Sequence, residues 1–119
     1  MYFIIVKFSF VHYHFWPDAP EEYAYLRHPH RHEFFVTVKR PVRGPNREIE
    51  VNALEENLRT FCLRTWGRGG STDSCEMIAQ CLAQYLAYPP GLEVTVLEDN
   101  LQGGGYYCEH DATDRLSAD

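Results

Sequence analysis

His28-Pro29-His30-Arg31-His32-Glu33-Phe34-Phe35-Val36-Thr37-Val38-Lys39 carries a structural and a chemical signal in one run. From His32 to Lys39, aromatic and β-branched residues follow one another, which predicts a strand. At its head, His30 and His32 stand two positions apart, so extended backbone projects both imidazoles to the same side. Neutral imidazoles placed that way can reach one metal ion.

Upstream, the alternation from Tyr2 to His14 predicts a first strand with Phe8, Phe10, His12 and His14 on one face. The two strands would pair antiparallel across a long connection, residues 15–29. It contains Trp16-Pro17, Pro20 and a short helical turn near Glu21–Tyr25. His14, at the strand end, or His12 in its place, could then supply a third nitrogen. Three histidines with an open fourth position are the arrangement of a catalytic zinc site, and zinc is the cofactor this set would take.

Downstream, Pro41–Asn46 breaks the chain at Gly44-Pro45, and Arg47–Val51 reads as short and extended. A helix is predicted over Asn52–Thr65, capped by Asn52, with Leu54, Leu58, Phe61 and Cys62 on its apolar stripe. A second is predicted over Ser74–Leu86, where Asp73 and Glu76 stand in capping-box spacing. Pro89-Pro90-Gly91 stops it. Leu92–Glu98 alternates as a strand, Asn100–Gly104 turns, and Tyr106–Glu109 returns as its partner. The expected order is β–β–α–α–β–β, an α+β domain over residues 1–110 with both helices on one face of an antiparallel sheet. Residues 111–119 are polar and are expected to form a disordered tail.

A net charge of −6 argues against nonspecific nucleic-acid binding, which needs Lys and Arg in excess. No stretch has the character of a signal peptide or membrane span, so no membrane partner is expected and the expected location is cytoplasmic. There Cys62, Cys75, Cys81 and Cys108 would stay reduced, and their spacing fits no zinc ribbon. The positive charge that is present crowds into one stretch, including Arg27, Arg31 and Arg47, which could meet a small anion.

The ordered set of segments resembles the 6-pyruvoyl-tetrahydropterin and 6-carboxytetrahydropterin synthase family. His30-Arg31-His32-Glu33-Phe34 is similar to its HxHxF/Y zinc motif. Phe8–His12 and Phe10–His14 both match the spacing before its first zinc histidine. Arg47–Leu54 resembles the run ahead of its first helix. Thr72–Ala79 resembles the PTSExLA start of its second, and Val94–Glu98 its strand ending in a glutamate. The resemblance implies the tunnelling fold, in which trimers or stacked trimers close their sheets into a barrel. It also implies that Glu98 grips the amino-pyrimidine edge of a pterin or purine.

Two departures bear on activity. The family's proton-shuttling cysteine lies four residues before HxH, where this chain has Leu26. The family's Asp-His pair between the helices has no counterpart, since residues 65–73 offer Asp73 without a histidine beside it. General acid–base catalysis needs a titratable group within reach of the moving proton. The expectation is therefore a non-catalytic homo-oligomeric binder of a purine- or pterin-like molecule, such as a viral sponge for a signalling nucleotide. Glu98 would hold the base, Trp16, Phe15 or Tyr107 would stack on it, and Arg27, Arg31 or Arg47 would meet phosphate. The alternative is a divergent zinc-dependent synthase in which His28, Cys108 or His110 moves the proton.

Overall fold

The computed structural model describes residues 1–67 and 69–109. Strand β1 (Tyr2–His14) pairs antiparallel with β2 (His30–Val42) along their full length, from Tyr2 opposite Val42 to His14 opposite His30. Helix α1 (Val51–Trp66) and a two-residue strand β3 (Gly70–Ser71) follow. Then come helix α2 (Cys75–Tyr85) and the hairpin β4 (Glu93–Glu98) and β5 (Gln102–Tyr107). The sheet order is β3-β1-β2-β4-β5. The chain is thus a mixed α+β fold with a five-stranded sheet.

Alternation decides which face carries the core. Val6, Phe8 and Phe10 of β1, Phe34, Val36 and Val38 of β2, and Val94 and Val96 of β4 are all buried. Both helices lay their apolar stripes on that face: Leu54, Leu58, Cys62 and Trp66 from α1, and Ile78, Ala79, Leu82 and Ala83 from α2. The odd positions of β1 point the other way, leaving Phe3, Ile5 and Tyr13 about half exposed.

Several boundaries differ from the expectations, each for a local reason. Strand β2 continues through Pro41 to Val42. Beyond Lys39 it has no β4 neighbour, so a proline without an N–H interrupts no ladder there. No strand forms over 47–51. Glu50, not Asn52, caps α1, its carboxylate accepting from the Ala53 N–H at 2.8 Å. Ser74 caps α2 by accepting from the Met77 N–H at 3.1 Å, because Asp73 is engaged elsewhere: it accepts from Trp66 Nε1 at 2.9 Å. The sheet also has a strand the sequence did not announce, since Gly70–Ser71 pairs in parallel with Tyr13–His14. It is therefore not purely antiparallel.

The last hairpin turns earlier than its glycines suggest. Asp99 and Asn100 both sit at positive φ, 52° and 59°, and Leu101 N–H closes the turn on Glu98 O at 3.0 Å. Aspartate and asparagine tolerate that conformation better than other side chains. Gly103–Gly105 belong to β5, where closeness to other groups requires them. A Cβ on Gly103 would run into the Val96 carbonyl, and one on Gly104 into the Glu76 carboxylate. The tail expected after residue 110 lies outside the described residues.

Candidate functional site

The β1–β2 register places His14 directly opposite His30, and alternation puts His32 on the same side. One ligating atom from each of His14, His30 and His32 lies within 4.8 Å of the others. These three residues could hold a metal ion. His30 and His32 are each oriented by a second contact. His30 Nδ1 donates to the His28 carbonyl at 2.9 Å, and His32 Nδ1 donates to Asp99 Oδ2 at 2.5 Å. Metal-binding histidines are held in this way, with the spare ring N–H given to a carbonyl or carboxylate. The inner nitrogens, His14 Nε2 and His30 Nε2, are buried without a hydrogen-bond partner.

His12 does not join them. It lies in the core, its Nδ1 donating to Trp66 O at 2.6 Å and its Nε2 accepting from Ser71 Oγ at 2.7 Å. Both ring nitrogens are committed to joining the end of α1 and β3 to the sheet. Of the two candidates that sequence left open, the geometry selects His14.

Glu98, at the end of β4, faces the cluster. Its carboxylate stands 3.4 Å from His14 Nε2 and 3.7 Å from His32 Nε2. Cys75, the first residue of α2, points its thiol at Glu98 Oε1 at 3.8 Å. Burial, together with the Glu98 and Glu76 carboxylates, pushes that thiol up to about 12. The sequence marks Cys75 only as a reduced cysteine outside any zinc-ribbon spacing, and nothing in that spacing makes it a neighbour of Glu98. Asp99 was also missed as a positioning residue. It fixes His32 through one oxygen and accepts from the Glu33 N–H at 3.1 Å through the other.

These groups open into a cavity of about 950 Å³ walled by Phe15, Trp16, Tyr25, Leu26 and the start of α2. Among the described residues, no Lys or Arg lines it. The expected phosphate contacts are placed elsewhere within one chain. Arg27 is tied to Ala19 O and Glu21. Arg31 alternates to the opposite face from His30 and His32, and Arg47 lies past the far end of β2 and bonds Asn46. Tyr107 is also remote, opposite Glu93 at the other end of β4. Cys108 is buried beside Leu92 at that same end, and His110 lies outside the described residues.

Burial lowers His12 and His14 below their ordinary value near 6.5, with the neighbouring His30 and His32 adding to the effect at His14. The folded state therefore favours the neutral rings, and the unfolded chain binds more protons below pH 6.5. The contribution to stability is full above that pH and is lost as pH falls through the lowered folded values. Urea midpoints of the metal-free protein should drop as pH is taken from 7 to 5. An unchanged midpoint would show that the rings are not held neutral.

Among the described residues, no helix is long and apolar enough to cross a membrane. In comparisons with known proteins, no protein-family model and no curated sequence matches the chain.

Proposed function

We propose that this chain is a divergent, non-catalytic relative of the pterin synthases that captures a purine- or pterin-like small molecule. The observation that carries this reading is Glu98, a carboxylate turned into an aromatic-walled cavity whose lining, among the described residues, holds histidines but no Lys or Arg. A carboxylate so placed can accept two N–H bonds from a guanine-like or pterin edge. Trp16 and Phe15 offer surfaces on which the ring could stack, and the volume suits a bicyclic base. Zinc on the three histidines would help orient the ligand.

Binding is favoured over turnover by what occupies the place of the acid–base group. Leu26 lines the cavity and holds no transferable proton. Cys75 is the nearest thiol, and a group held up near 12 is poorly matched to proton transfer at neutral pH.

The reading includes an assembly. Strand β3 covers only Tyr13 and His14, so Tyr2–His12 of β1 form one open edge and β5 forms the other. Open edges invite pairing with another chain, and closure into a ring of copies removes them. Such a tunnelling-fold trimer or hexamer would place the cavity at a border between subunits, where a neighbour could add contacts to the ligand.

Native mass spectrometry of the purified protein tests ligand and assembly together. The expected result is a species of three or six times 13.9 kDa carrying one small molecule per chain. Dihydroneopterin triphosphate incubated with the zinc-loaded protein should be recovered unchanged. A ligand-free monomer that gives no heat with pterins or guanine nucleotides would overturn the binding reading, and conversion of the triphosphate would replace it with an enzyme.

A further inference from the structure

The geometry points to Glu98 as a fourth metal ligand, closing the His14–His30–His32 site whenever no small molecule holds its carboxylate. This inference rests on the metal reading of the histidine cluster and is independent of which ligand enters the cavity.

His30 and His32 spend their Nδ1 hydrogens on the His28 carbonyl and on Asp99, so their Nε2 atoms carry lone pairs and no hydrogen. The buried Nε2 of His14 likewise has no hydrogen-bond partner. Both carboxylate oxygens of Glu98 face this group, at 3.4 Å from His14 Nε2 and 3.7 Å from His32 Nε2. Acceptors therefore meet acceptors, an arrangement that is repulsive unless a cation lies among them.

The cation could be a proton or a metal, and the His14–Glu98 distance favours the metal. A proton shared between imidazole and carboxylate draws nitrogen and oxygen to about 2.7–2.9 Å. Ligand atoms on a tetrahedral zinc, with bonds of about 2.0–2.1 Å, stand about 3.4 Å apart. The His14–Glu98 separation has the second value. Glu98 reaches His14 and His32 through different oxygens and stands outside the group of ligand atoms within 4.8 Å of one another, so its carboxylate must turn toward His30 to complete the set. Four protein ligands would leave no open position, as in structural rather than catalytic zinc sites. A ligand that takes Glu98 by its base edge would reopen one.

Zinc and cobalt, added alone to the metal-free protein, test this. Zinc affinity is measured by competition with a chromophoric chelator, and the cobalt form by its visible absorption, which reports coordination. Glu98→Gln and Glu98→Ala should each weaken zinc by more than about tenfold and change the cobalt bands, because water replaces a ligand. Asp99→Asn, which loosens only the orientation of His32, should weaken zinc by roughly 10–100-fold with the band pattern retained. Unchanged bands in both Glu98 variants, with zinc affinity within about threefold of the parent, would overturn Glu98 as a ligand while leaving the histidine site standing. Parent protein that binds neither metal would overturn both, the cluster then holding a proton only.

Discussion

Glu98→Ala is expected to weaken capture of a pterin or guanine base by roughly 10²–10⁴-fold, since two hydrogen bonds to a charged group contribute about 1.5–3 kcal/mol each. The loss should fall on binding alone. Glu98 is the last residue of β4, and its pairing with Gln102 and Phe34 runs through the backbone, which alanine keeps. The Asp99-Asn100 turn that follows is closed by the Glu98 carbonyl and not by its carboxylate. Calorimetry in the presence of a strong chelator separates the lost base contact from any change in metal occupancy. Circular dichroism and light scattering should match the parent. A variant that binds the same base with unchanged affinity would remove Glu98 from the recognition of the ligand and the cavity assignment with it.

The parts of this site that were legible in sequence are those fixed by strand periodicity. His30 and His32 share a side because they lie two apart, and the Tyr2–His14 alternation could place a histidine beside them. Whether that histidine was His12 or His14 could not be read, since both lie on the same face of β1. Register and depth decide it: His14 falls opposite His30 at the sheet end, while His12 is drawn under the end of α1. Contacts between distant segments left no local trace. Cys75 meets Glu98 only because α2 starts over the end of β4. The arginines suffered the opposite error. Nearness in sequence suggested one anion-binding patch, but β2 is a strand of thirteen residues, with Arg31 near its start and Arg47 beyond its far end. Glycine was misread in the last hairpin as a turn signal, whereas Gly103 and Gly104 are needed for close packing against Val96 and Glu76.

His30→Ala should have the largest effect on metal binding. Structural zinc sites are worth about 10–16 kcal/mol near neutral pH, so the loss of one of the three histidine ligands is expected to remove about 3–5 kcal/mol, or roughly 10²–10⁴ in affinity. His30 is the right ring to remove. Its Nε2 is buried without a partner, and its other nitrogen bonds only the carbonyl of His28, two residues away. Deleting it therefore breaks no hydrogen bond between elements of the fold, only the edge-on ring contact with His14 across β1 and β2. His12→Ala provides the contrast. That ring joins Trp66 and Ser71 to the sheet, so its loss should lower stability and leave the metal donors in place. The pH response follows from the same donors. Imidazole binds metal only when neutral, so zinc should leave the parent protein as pH falls below the ordinary histidine value. Burial, by lowering His14, should extend retention to more acidic pH than free imidazole would allow. Zinc bound equally well by His30→Ala and parent protein, or held without loss at pH 4, would show that the metal sits somewhere other than this cluster.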